Sequence, residues 1–171
     1  MSDDRLDWIR KARREILLRM GLTLVLMQAT EMVINACLTY ALPEGGVLTL
    51  EPLKADQKKR TLGQFLTELR KRVDIDEHFD LILEEFLDKR NTLIHRIKDV
   101  PGWSLDNEQG CLIAYQFVNR LMTVNESVCD TFTALLSMWK NQEDIKTPVD
   151  HLFADIETHT KIVNNTFFEK E

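Results

Sequence analysis

The chain has 171 residues, 44% of them apolar and 29% charged, a soluble globular balance that excludes a disordered or low-complexity protein. A net charge of −6 argues against non-specific coating of nucleic acid, while leaving room for a local basic patch. Only 6 Gly and 4 Pro are present, so long helices are expected rather than many short strands.

Nothing breaks a helix from Arg5 to about Leu42 except Gly21, which a helix tolerates at about 1 kcal/mol. The segment is basic early (Arg5, Arg10, Lys11, Arg13, Arg14, Arg19) and then apolar on nearly all sides through Leu22, Leu24, Val25, Leu26 and Met27. Such a stretch is expected at the centre of a bundle. The run from Met20 to Thr30 is too short to span a bilayer and reads as a core helix. The opening Asp3–Asp4 pair does not resemble the basic stub of a signal peptide, so a cytoplasmic protein with no membrane partner is expected.

Pro43, Gly45 and Gly46 end the first helix, and residues 47–50 form at most a brief extended piece. A second helix is expected over 61–73, with Thr61 as cap and Arg70, Lys71 and Arg72 in its last turn, where cations suit the dipole. The third is capped by Asp76 and runs to about Lys98. Phe79, Ile82, Leu83, Phe86, Leu93, Ile94 and Ile97 keep the three-and-four spacing of a core-facing stripe. Pro101–Gly102 closes it. A fourth helix, capped by Ser104 or Asp106, extends to about Trp139. A fifth begins at Thr147–Pro148 and reaches toward Phe167. From Glu143 onward seven Asp or Glu face three Lys, which reads as a solvated helix face. The expected fold is one all-α domain over 1–171, a bundle of about five helices.

The third helix holds the chemistry. Its segment "FLDKRNTLIHR" (86–96) places Arg90, Asn91 and His95 within one and a half turns. On an ideal wheel Arg90 falls within about 20° of the stripe defined by Phe79, Phe86 and Ile97. A guanidinium there needs an acceptor, and Glu31, which interrupts the most apolar helix, is the candidate partner. Asn91 and His95, spaced i, i+4, lie one above the other on an adjoining face. From Lys89 to Lys98 there are four basic residues and no acidic one. Lys89, Arg96 and Lys98, with Arg70, Lys71 and Arg72 on the preceding helix, are therefore candidate phosphate contacts, or a solvated face.

The pattern Arg-polar-x-x-x-His, carried by Arg90, Asn91 and His95 in a helical context, resembles the signature of the HEPN superfamily. That signature is an Arg, four to six residues and a His, commonly with a polar residue directly after the Arg. The short helix "TLGQFLTELRKR" (61–72) before it is also similar to segments of that superfamily. The resemblance implies a helical bundle that dimerises so that two motifs face each other. It also implies, for many members, metal-independent endoribonuclease activity in toxin–antitoxin, phage-defence or RNA-processing systems. A cognate antitoxin or nucleotidyltransferase partner would accompany some of these roles. Other members are silent modules that bind a protein or a nucleotide, and this alternative stays open.

The residue types fit the chemistry. RNA carries its own nucleophile, the ribose 2′-hydroxyl. An imidazole, which titrates near 6.5 in water, takes such a proton at cellular pH. A guanidinium holds two phosphoryl oxygens and stabilises their growing charge. Asn91 would orient His95 or donate to the phosphate. The product would end in a 2′,3′-cyclic phosphate, and DNA would be spared. No metal and no cofactor are expected.

Other residues suggest less. Cys37, Cys111 and Cys129 have no CxxC spacing and read as reduced thiols. His78, His151 and His159 form no HxxxH pair, and Trp8, Trp103 and Trp139 read as packing residues. Lys58, Lys59 and Arg60 are candidate extensions of the phosphate track beside the motif helix, or a solvated face. GxGxxG, Walker and GxSxG patterns are missing, as is a helix-turn-helix signature.

Overall fold

The computed structural model describes residues 3–41 and 62–143. Among them the regular elements are all helical: α1 (Asp3–Ala36), prolonged by a π-helical turn (Cys37–Ala41), α2 (Leu62–Arg72), α3 (Glu77–His95), a 3₁₀ turn (Ile97–Asp99) and α4 (Glu108–Glu143). The protein is all-α, with four α-helices among the described residues. The extended piece expected at 47–50 and the helix expected over 147–167 lie outside them.

α1 and α4 lie side by side and point the same way. Arg5 meets Glu108 at 3.2 Å, Arg19 donates to the Asn119 side chain at 3.0 Å, and the Cys37 thiol meets the Phe132 carbonyl at 3.2 Å. The core lies where α2 and α3 close over this pair. Val33, Ile34, Leu62, Leu66, Leu83, Phe86, Leu121 and Val128 form its centre. Phe86 is fully buried, which removes a large apolar ring from water for about 1.5–3 kcal/mol. A smaller cluster of Ile9, Ile16, Cys111, Ala114 and Val118 fastens the other end of the α1–α4 pair.

The helix ends follow from local chemistry. The Asp76 carboxylate accepts from the backbone N–H of His78 (3.0 Å) and Phe79 (3.2 Å), satisfying two orphan donors at the start of α3. At the other end α3 stops at His95, short of the expected Lys98. Arg96 takes φ −137°, and its N–H turns back to the Thr92 carbonyl. Pro101 then holds Val100 extended, and Gly102 turns the chain with φ 75°. The start of α4 also differs from expectation. Asn107, rather than Ser104 or Asp106, caps it by accepting from the Gly110 N–H at 2.8 Å. Ser104 is occupied instead by the Asp106 N–H, at 3.1 Å.

One expectation is corrected. The apolar middle of α1 is not surrounded by the described bundle. Ile16, Met27, Val33 and Ile34 are buried, whereas Leu17, Leu18, Leu24, Val25 and Met32 are exposed. The reason is that α1 packs along one flank only, so a helix apolar on all sides has more apolar surface than its neighbours cover. The segment Asp4–Ala41 is also long and apolar enough, by length and composition, to cross a membrane; counting only Met20–Thr30 understated it.

Candidate functional site

Arg90 reaches from α3 to α1. Its Nε donates to Glu31 Oε1 at 3.0 Å and its Nη1 to Asn91 Oδ1 at 3.0 Å. Both ends of the ion pair are half-buried, with side-chain exposures of 22% for Arg90 and 27% for Glu31. The guanidinium is therefore held on two sides yet still meets solvent. A guanidinium has five N–H donors, so three remain for an incoming acceptor. Asn91 is half-buried, and its side-chain carbonyl accepts from Arg90, while its amide N–H₂ makes no hydrogen bond among the described residues.

His95, the last residue of α3, is exposed, and its side chain makes no hydrogen bond among the described residues. Arg90 and His95 share one helix but point about 140° apart on an ideal wheel. Thus the protomer brings Glu31, Arg90 and Asn91 together and leaves His95 beside them, facing outward.

Three of the six candidate phosphate contacts are engaged with carboxylates. Lys89 lies 3.7 Å from Glu85 and over the Phe117 ring at 5.2 Å. Arg96 binds Asp88 at 3.1 Å. Arg70 bridges Asp80 (2.8 Å) and Glu84 (3.0 Å), and hydrogen bonding to Asp80 holds its guanidinium above the ordinary value. Arg72 donates to the Leu38 carbonyl at 2.8 Å, tying α2 to the π-helical turn. Lys71 and Lys98 are exposed. Of the six candidate contacts, Arg70, Arg72, Lys89 and Arg96 are thus engaged within the protomer.

Two features were not anticipated from the sequence. Glu85 on α3 accepts two hydrogen bonds from Arg120 on α4, and this clasp holds the Glu85 carboxyl below its ordinary range. The exposed face of α1 is the second. Its signal was present as Leu18, Val25 and Met32 at seven-residue spacing.

The thiols offer no nucleophile. Burial pushes Cys37 up to about 12 and also raises Cys111 and Cys129, so thiolate is scarce at neutral pH. Among the described residues no group of three or more His, Cys, Asp or Glu could hold a metal ion. His78 is exposed at the start of α3, and His151 and His159 lie outside the described residues. No family model, no curated protein and no solved structure matches the chain.

Proposed function

We propose that this chain is a HEPN-type, metal-independent endoribonuclease that acts as a homodimer. The observation that carries the reading is the Arg90 guanidinium, fixed by Glu31 and Asn91, with three N–H groups unspent and an exposed imidazole five residues on. Held this way, Arg90 pays little reorganisation to bind a phosphoryl group, which is the condition for stabilising a growing charge. His95 takes the proton from the 2′-hydroxyl, the 2′-oxygen bonds to phosphorus as the P–O5′ bond breaks, and the 5′-oxygen leaves as a hydroxyl after taking a proton from water. The divergence of Arg90 and His95 on one helix is met by pairing, with the imidazole of one copy and the guanidinium of the other addressing the same phosphate.

The test is cleavage of one oligonucleotide in two forms, all-ribose and with a single 2′-deoxy sugar. The reading expects breaks in the first, ending in 2′,3′-cyclic phosphate, with protection at the deoxy position in the second. Intact RNA, or equal cleavage at the deoxy position, contradicts it.

A second reading is favoured by one observation, the bond between α1 and α3 made by Glu31 and Arg90. In it the chain is a non-catalytic helical module that binds a protein partner or nucleotide, and Arg90 is a structural fastening. Arg90→Ala then lowers thermal stability sharply. The nuclease reading expects Arg90→Lys to keep the fold and lose cleavage, because an ammonium cannot hold Glu31, Asn91 and a phosphate together.

A further inference from the structure

α1 carries more bare apolar surface than the bundle covers. From Leu17 to Met32 every exposed position is uncharged, and five of them are Leu17, Leu18, Leu24, Val25 and Met32. At 100° per residue these five fall within an arc of about 120° and run for about 22 Å. An exposed apolar patch of that extent marks a contact with something else. α1 is not simply a core helix: of its eighteen-residue stretch apolar enough to cross a membrane, 28% is buried in the bundle. Nor is it free to cross one, because Ile16, Met27, Val33 and Ile34 are packed into the two cores. A helix fastened along one flank and apolar along the other has the form that lies in a membrane interface.

Charge along the same arc points the same way. Arg10 and Arg14 extend it toward the N-terminus, both exposed and without hydrogen bond or ion pair among the described residues. Asp7, further along, is held by Lys11 at 2.9 Å. From residue 10 to residue 32 no exposed position of α1 is acidic, although the chain carries a net charge of −6. Glu31, at the edge of the arc, is met by Arg90 at 3.0 Å. A surface that offers acyl chains beside phosphates matches both the aliphatic stretch and the two arginines.

A protein partner fits less well. α1 packs along one flank only, so its far side is a convex ridge, and none of the five side chains is aromatic. Protein interfaces anchor on Trp, Tyr and Arg seated in pockets, with Leu and Val under-represented.

We infer that the exposed ridge of α1 docks on an anionic lipid surface, with the five apolar side chains entering the acyl boundary and Arg10 and Arg14 on lipid phosphates. The helix lies in the interface, about 5–10 Å deep, and does not span it. This revises the expectation of no membrane partner, which took Met20–Thr30 as a core helix. It stands independently of the nuclease reading.

The experiment uses the whole chain and sedimentable vesicles of equimolar phosphatidylcholine and phosphatidylglycerol. Wild type is expected to sediment with them, and more weakly with vesicles of phosphatidylcholine alone. Leu18→Glu/Val25→Glu is expected to stay in the supernatant. Its circular dichroism and melting temperature without vesicles should be unchanged, because both side chains are exposed. Arg10→Ala/Arg14→Ala is expected to weaken binding about 25-fold, about fivefold for each cation lost near an anionic leaflet. Washing with alkaline carbonate is expected to release the wild type. A wild type that leaves the vesicles unbound, whether as monomer or as dimer, overturns the inference. So does binding that survives the double glutamate, or that the double alanine leaves unchanged. Resistance to carbonate overturns it too, since it marks a spanning helix. A melting temperature that falls with the double glutamate marks the ridge as covered by the chain's own segments, and this also overturns it.

Discussion

Arg90 Nε and Glu31 Oε1 lie 3.0 Å apart, joining the motif helix α3 to α1 across 59 positions of sequence. The pair is half-buried, so its Coulomb gain is less screened than at the surface, while the guanidinium keeps contact with solvent. One bond thus serves the fold and aims the candidate phosphate-binding group. Glu31→Ala is expected to lower stability by about 1–2 kcal/mol, because it strands a half-buried guanidinium. Glu31→Gln keeps an acceptor and is expected to melt near the wild type while RNA cleavage falls, since Arg90 loses its orienting charge. Thermal melts beside cleavage rates separate the two effects.

The Glu85–Arg120 clasp gives the α3–α4 contact a pH dependence with a definite sign. Hydrogen bonding from Arg120 holds the Glu85 carboxyl below its ordinary 4.5 in the folded protein. A carboxyl depressed on folding contributes stability that is fully present above the unfolded value and is lost as pH falls through the folded one. Wild type is therefore expected to melt above Glu85→Gln at pH 7, with the difference shrinking as the pH is taken below about 4. A difference constant across that range would mean that the clasp acts by packing and not by charge.

Gly102 tests the turn that separates the motif helix from α4. It holds φ 75°, and a Cβ there would come within 2.6 Å of Ile113 Cδ1. Gly102→Ala combines left-handed strain with a steric clash and is expected to cost about 1–3 kcal/mol. Because the turn sits beyond His95, the melting temperature should fall without abolishing cleavage at low temperature.

Much of the helical frame was legible because local signals state it directly. Asp76 caps α3 where the sequence places a cap, and Pro101–Gly102 ends that region for the reasons their backbones dictate. The Arg90–Glu31 contact was also inferable, since each residue interrupts an apolar pattern and each needs the other. What the sequence hid was tertiary. Arg70 and Arg96 look like parts of a free basic track in one dimension, and only the fold brings Asp80, Glu84 and Asp88 against them, whereas the Glu85–Lys89 pair, spaced i, i+4 on one helix, was there to be read. Asn107 outcompetes Ser104 as the α4 cap because Ser104 packs against Gly110, where a Cβ would sit 2.6 Å from the Ser104 carbonyl oxygen. The apolar middle of α1 misled for a related reason: periodicity shows that a helix has apolar surface all round, not how much of it one chain can cover.

The central claim is that His95 does chemistry. Since the side chain is exposed and unbonded among the described residues, His95→Ala should leave the fold untouched. The most direct measurement is single-turnover cleavage of a labelled RNA by wild type and His95→Ala, with the melting temperature of both recorded. The account predicts loss of cleavage by at least about 100-fold, the size of a general-base contribution, at equal melting temperature. Cleavage by His95→Ala at the wild-type rate would contradict it.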